Sequence, residues 1–217
     1  MTPVTGPPVN LRDAPLPSLR RAEHLMVMPA TLPPPWTAAQ VRALPEEPGK
    51  HYEVIDGELF VSPGPSFPHQ FVAGELFALL RAHVRARRTG AVLSGPAEIE
   101  PDEYTLVQPD LFVVPLVDGR PPRDWTEAGR VLLTIEVLSP TSSRRDRVHK
   151  RRLYQRMGVE YWLVDPDARV IERWLPSASR PDVLDDRLEW RAEGDSDPLV
   201  LDIPAMFSAA LGEDVSG

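Results

Sequence analysis

The stretch VLLTIEVLSPTSSRRDRVHKRRLYQRMGVEYWLVDP, residues 131–166, decides the fold. Its first eight residues are apolar except for Thr134 and Glu136, which is the pattern of a central strand buried on both faces. Residues 142–157 then change period. Leu153 and Met157, with Tyr154 beside them, recur at helical spacing, Ser142 or Ser143 stands where an N-cap is needed, and Gly158 ends the segment. Residues 159–164 return to strand character, Asp165-Pro166-Asp167 is a turn, and residues 169–174 form a returning strand.

Working outward, the upstream half alternates in the same way. Thr37 is an N-cap candidate for a short helix through Ala38, Val41 and Leu44. Residues 51–55 and 58–61 are strand candidates joined by Asp56-Gly57, a two-residue hairpin signal because glycine accepts a positive φ. From His69 to about residue 87 the apolar positions Val72, Leu76, Leu79, Leu80 and Val84 recur at three and four, which predicts an amphipathic helix ended by Thr89-Gly90. Residues 91–93 start a strand that Ala97 and Ile99 extend past Pro96. Residues 105–114 hold another, interrupted at Pro109, since proline cannot donate to a ladder. Residues 116–130 read as a polar loop. Downstream, residues 182–204 suggest a small hairpin, with Pro204 opening a terminal helix through Phe207 and Leu211. The order predicts an α/β (α+β) protein with a central mixed β-sheet and helices flanking it, neither barrel nor sandwich.

Composition bounds the chemistry. The chain has 217 residues, 42% of them hydrophobic, enough for one sizeable core. It has no cysteine, which excludes disulfides, thiolate catalysis and cysteine-ligated metals and fits a reducing compartment. No run of about 18 apolar residues occurs and the N-terminus lacks an apolar signal stretch, so a cytoplasmic protein with no membrane partner is expected. The organisation expected is a proline-rich arm over residues 1–36, a domain over 37–176, and an acidic C-terminal extension over 177–217 packed on or near that domain. The formal charge of −8 lies in the tail, since residues 182–217 carry ten acids and two bases while the rest is balanced. Two basic clusters stand out, one at Arg144, Arg145, Arg147, Lys150, Arg151 and Arg152, the other at Arg81, Arg85, Arg87 and Arg88. Both suit a polyanion, and both equally suit a solvated helix face.

Glu136 is the first candidate for chemistry. A carboxylate within a buried strand is costly unless it is paired, protonated or bound to a metal; the alternative is an edge position facing water. Asp110 follows the strand-breaking Pro109, and if its strand neighbours that of Glu136 the two can converge on one divalent ion, with Mg2+ or Mn2+ preferred by hard oxygen ligands. Glu53, in the first hairpin strand, is a candidate third carboxylate. Lys150 shares a helix face with Asp146 and Tyr154. It either reaches back over the sheet end to a phosphate oxygen or a water, or forms a surface pair with Asp146 contributing tenths of a kcal/mol. The loop from Ser139 to Ser143 either cradles an anion or merely caps the helix.

Three blocks, TIEVLSPTSSRRDRVHKRRLYQRMGVEYWLVDP, YEVIDGELFVSPGPSFPHQ and LVQPDLFVV, closely resemble the Uma-two family of restriction-endonuclease relatives, which is similar to the PD-(D/E)XK nuclease superfamily. The resemblance covers roughly residues 37–176. It implies a restriction-endonuclease-like core and a Mg2+- or Mn2+-dependent endonuclease acting on DNA. It places the proline-following acid at Asp110 and the second acid at Glu136. The superfamily lysine would fall two residues on, where this chain has Leu138, and the family match instead implies Lys150 from the following helix. Glu53 becomes the additional acid, His69 a pocket position, and Asp110, Glu136 and Glu53 the metal ligands. Arg144, Arg145 and Arg147 are then expected on DNA phosphates, and a homodimer on the two strands. Two other readings stay open: a nuclease-fold protein that binds nucleic acid without turnover, and an assembly protein using its arm and tail as contact segments.

Overall fold

The computed structural model describes residues 34–139 and 143–212. The proline-rich arm up to residue 33, the possible cap at Ser142 and most of the 139–143 loop lie outside the described residues. The described part holds α1 (Ala38–Arg42), β1 (Lys50–Ile55), β2 (Glu58–Pro63), α2 (Phe67–Arg87), β3 (Ala91–Ser94), β4 (Ile99–Asp102), β5 (Thr105–Val107), β6 (Leu111–Val114), α3 (Trp125–Ala128) and β7 (Leu133–Val137). There follow α4 (Ser143–Arg145), a π-helical turn Asp146–Lys150, α5 (Arg151–Arg156), β8 (Glu160–Asp165), β9 (Val170–Trp174), β10 (Asp182–Leu184), β11 (Arg187–Trp190), β12 (Leu199–Asp202) and α6 (Ile203–Leu211).

Six strands form the main sheet in the order β10-β9-β8-β7-β6-β3. Only β7 and β8 pair in parallel within it, so the sheet is mixed, and the chain between them must cross over one face. A smaller antiparallel sheet runs β2-β1-β5-β4, and β11 and β12 make a separate ribbon. The predicted strand over 105–114 is two strands in different sheets: β5 pairs with β1 and β4, whereas β6 pairs with β3 and β7. Pro109 is the reason, because it interrupts the ladder where the chain changes sheet.

Strand alternation divides the core. Leu111, Val113, Leu133, Ile135, Val137, Trp162 and Val164 face α2, α6 and the ribbon. The alternate residues Phe112, Val114, Tyr161 and Leu163 face Leu153 and Tyr154 of α5, with Ile55, Ile99 and Val107 of the smaller sheet. Ala38 and Val41 of α1 pack on Val54 and Leu106. The described part is therefore layered: two helices, the main sheet, then the crossover helix and smaller sheet.

Local chemistry explains the boundaries. Thr37 and Gln40 form a reciprocal capping box on α1, which ends at Arg42, short of Leu44. Ser66 caps α2 by accepting from the His69 N–H, so the helix starts two residues earlier than its apolar period suggests. Asp56 and Gly57 both take positive φ, 51° and 81°, as a two-residue hairpin needs. The stretch expected to be a polar loop contains α3, capped by Asp124 and closed by left-handed Gly129. Beyond residue 176, β10 joins the main sheet at its edge, so only β11 and β12 make the small hairpin, and Trp190, Leu201, Met206 and Phe207 share the core of α2. Among the described residues no helix is long and apolar enough to cross a membrane.

Candidate active site

The register of the central strands brings two acids together. β6 and β7 are antiparallel, with Leu111 opposite Ile135. Extending that register by one residue sets Asp110 opposite Glu136, and directly opposed side chains share a sheet face about 5 Å apart. Asp110 is fixed on both sides: its Oδ2 accepts from the Val137 N–H at 2.8 Å and lies 3.0 Å from His69 Nε2 on α2. The Asp110 carbonyl still accepts the Gly95 N–H at 3.0 Å, continuing the β3–β6 ladder, while its side chain reaches the backbone of β7 on the other side.

Glu136 is only 3% exposed. Its Oε1 lies 2.6 Å from Lys150 Nζ and accepts the Tyr154 hydroxyl at 3.5 Å. Lys150, 1% exposed, also reaches Glu53 Oε1 at 2.8 Å. Glu53 in turn accepts the Gln108 N–H at 2.7 Å and pairs through Oε2 with Arg145 at 3.0 Å. Arg145 goes on to Asp146 at 3.1 Å and to the Ser62 hydroxyl at 3.1 Å. Strands β1 and β7 and the crossover helix thus meet in one buried network of alternating charge.

The crossover helix is locally wound as a π-helix, with the Arg151 N–H donating to the Asp146 carbonyl. A π turn inserts one extra residue into a helix and occurs frequently at functional sites. Here its two ends, Asp146 and Lys150, are both buried. The Tyr161 hydroxyl donates to the same Asp146 carbonyl at 3.3 Å, and the rings of Tyr154 and Tyr161 pack with centroids 4.8 Å apart. The surface-pair reading of Asp146 and Lys150 is thereby replaced: each is inside, and each has a different partner.

Electrostatics follow from the burial. Burial pushes the Glu136 carboxyl well above the usual carboxylate range; Lys150 opposes this, while Asp110, Asp146 and Glu53 add to it. Burial alone would pull the Lys150 ammonium down, but Glu136 and Glu53 more than offset it and hold the amine charged. Arg145 is likewise held charged against burial by Glu53 and Asp146. Burial, and then the charge of Glu136, raises the phenols of Tyr154 and Tyr161, so both remain neutral donors. Four carboxylates (Glu53, Asp110, Glu136, Asp146) stand against two fixed cations (Lys150, Arg145). Among the described residues, one oxygen of the buried Asp146 accepts no hydrogen bond.

This network forms the floor of a cleft of about 610 Å³, lined by Glu53, His69, Asp110, Glu136, Arg145 and Lys150, among others. A surplus of two formal negative charges and the hard oxygens of Asp110 and Glu136 fit a divalent cation. Glu53 is already engaged in this arrangement, through Oε1 by Lys150 and the Gln108 amide and through Oε2 by Arg145. Among the described residues no three His, Asp or Glu side chains converge as a ready ligand set.

The sequence-level candidates therefore separate into two groups. Asp110, Glu136, Lys150, Glu53, His69 and Arg145 share the cleft. Arg144 and Arg147 do not. Arg144 is exposed away from it, and Arg147 pairs with Glu172 at 2.7 Å and Asp165 at 3.4 Å on β8 and β9. Arg145 is turned inward to the cleft, whereas its neighbours Arg144 and Arg147 are not part of the cleft lining. Asp146, Tyr154, Ser62 and Gln108 belong to the network and were not singled out as site residues. Only the helical spacing of Asp146, Lys150 and Tyr154 carried a signal for them.

Comparison with known proteins agrees with this architecture. A family model described as "Uma2: Putative restriction endonuclease" matches residues 38–196. The fold is similar to the crystal structure of a "putative nuclease belonging to DUF820" from Anabaena variabilis, with a TM-score of 0.61 and 21% identity, over 81% of this chain and 99% of that one. No curated protein matches the chain. With more than half of its length matched by the family model, the chain belongs to the Uma2 family of restriction-endonuclease-like proteins.

Proposed function

We propose that the chain is a divalent-metal-dependent endonuclease that hydrolyses phosphodiester bonds of DNA, with Asp110, Glu136 and Lys150 at its reacting centre. The observation that carries this reading is their convergence: two acids from adjacent strands and a lysine from the crossover helix meet on the floor of one open cleft. In the reaction, water adds across a P–O bond, leaving a phosphate monoester and a hydroxyl.

Asp110 and Glu136 would hold Mg2+ or Mn2+. Such an ion polarises a phosphoryl oxygen and lowers the pKa of bound water. The residues of the chain prepare the site for that chemistry. His69 and the Val137 N–H fix the Asp110 carboxylate. Lys150 is held charged beside Glu136, where it can orient water or take a phosphate oxygen. Glu53 and Arg145 steady Lys150 and the π turn from the side. Their role is positioning, since a lysine delivered from a helix is only as accurate as its supports.

The test uses supercoiled plasmid with Mg2+ or Mn2+, and Mn2+ titration calorimetry as a readout independent of turnover. Wild type should cut the plasmid and bind Mn2+. Asp110→Asn and Glu136→Gln should lose both while keeping their thermal unfolding transitions. Cutting that persists equally in all three proteins would assign the activity elsewhere.

A further inference from the structure

Helix α2 carries a second feature that the reacting centre does not use. Phe67, Phe71, Gly74, Ala78, Arg81 and Arg85 follow one another at spacings of four, three, four, three and four, and all six are exposed. That spacing is one ridge of a helix, and it runs about 27 Å from end to end at the α-helical rise. Phe67 is 79% exposed and Phe71 58%, and their rings lie 6.4 Å apart, tilted by 54°. Exposed aromatic pairs of this kind are costly in water and mark contact surfaces.

The ridge borders the cleft. Ser66, His69, Gln70, Ala73, Gly74 and Phe77 of the same helix line it. At 100° per residue Phe67 and Gly74 share one side of the helix, and Gly74 lines the cleft, so the ridge runs along the cleft's edge. At the far end, Arg81 and Arg85 make no ion pair among the described residues. Several other cations nearby are already engaged: Arg145 by Glu53 and Asp146, Lys150 by Glu53 and Glu136, Arg87 by Asp195 and Asp197. A duplex held mainly through its phosphates needs many free cations. Among the described residues this surface offers three, Arg81, Arg85 and Arg88 at the helix end, together with a pair of exposed rings and a smooth stretch of small residues between them. That combination matches single-stranded nucleic acid, which is bound by aromatic faces on its bases and a few cations on its backbone.

We infer that the Phe67–Arg85 ridge of α2 is a binding track for single-stranded DNA, with Phe67 and Phe71 stacking on unpaired bases at the cleft mouth and Arg81 and Arg85 holding the strand's phosphates. This deepens the nuclease reading by naming unpaired DNA as the substrate class that the cleft receives.

The test is fluorescence anisotropy with the full chain in metal-free buffer, using a labelled 20-mer of thymidylate, an oligonucleotide of the same length made of abasic sites, and a blunt duplex. Wild type should bind the thymidylate strand more tightly than the abasic strand or the duplex. Phe67→Ser/Phe71→Ser should weaken thymidylate binding by about 10-fold per stacked base and leave the abasic strand unaffected. Arg81→Gln/Arg85→Gln should reduce the salt dependence of strand binding by about 1.4 in log–log slope. All these positions are exposed, and an unchanged melting temperature checks the fold. Equal wild-type affinity for thymidylate and abasic strands, or thymidylate binding unchanged in the double phenylalanine variant, overturns the inference. So does a phenylalanine variant that only converts a dimer to a monomer in sedimentation, since the ridge is then a subunit contact. Asp110-dependent plasmid cutting with an indifferent ridge would sink this inference alone, whereas ridge-dependent strand binding without any cutting would sink only the nuclease reading.

Discussion

Replacing Lys150 by methionine removes the cation that, among the described residues, touches both Glu136 and Glu53, and does so at a position only 1% exposed. Methionine nearly fills the space, so the loss is one of charge more than of packing. Breaking a buried ion pair by removing one partner costs about 3–5 kcal/mol, because the other partner is left buried and unmatched. For a chain of 217 residues each kcal/mol corresponds to about 2–4 °C in Tm. Lys150→Met should therefore melt about 6–20 °C below wild type at pH 8.

The pH dependence of that deficit has a definite sign. The Glu136 carboxyl is already raised by burial, and Lys150 is the group holding it down. Without the lysine it rises further. A carboxyl whose folded pKa exceeds its unfolded value favours the fold at pH below the unfolded value and loses that advantage as pH rises through the folded one. The deficit should then be largest at alkaline pH and should narrow as the pH falls toward the ordinary glutamate range. The double variant Lys150→Met/Glu136→Gln, with one stranded charge fewer, should recover part of the loss. Differential scanning calorimetry from pH 5 to 8.5 measures all three. A single variant melting within about 3 °C of wild type at pH 8, or a deficit that grows on acidification, would refute the account of the network.

Two further outcomes follow from packing. Phe207 of α6 is fully buried in the core it shares with α2, so Phe207→Ala should cost about 3–5 kcal/mol and lower one cooperative unfolding transition. A calorimetric trace with two separated transitions would instead make residues beyond 176 a unit of their own. At Gly90 an added Cβ would stand 2.8 Å from the Val114 carbonyl oxygen and 3.0 Å from a Val113 methyl, so Gly90→Ala should cost about 1–3 kcal/mol, read as a lower urea midpoint.

Local signals in the chain carried the frame. The apolar run at 131–138, the helical period after it and the Asp56-Gly57 turn each specify their element through interactions among near neighbours. Pro109 announced an interruption, but not that the chain would change sheets there, because β1, the partner that ties β5 to the smaller sheet, and β7, a partner of β6, are remote in sequence. For the same reason Arg144, Arg145, Arg147 and Lys150 look alike as a string of charges. Burial of Lys150 depends on Glu53, roughly a hundred residues earlier, and on Glu136, and no window around Lys150 reveals either. The π turn is hidden likewise, since it is stabilised by what its ends meet and not by the propensity of Asp146–Lys150. α3 was missed because prolines dominate its surroundings, although Asp124 and Gly129 mark its two ends.

The passage from one sheet to the other at Gln108–Asp110 has a mechanical consequence. Within three residues the backbone binds Glu53 of the smaller sheet through Gln108 and sets Asp110 against β7 of the larger one. The two sheets are thus joined by covalent chain right beside the reacting groups. Turning the small sheet about this junction would part the Glu53–Lys150 contact while Asp110 and Glu136, both anchored to the large sheet, keep their spacing. A load that splays the sheets would thus release the lysine from one of its two tethers without disturbing the acids.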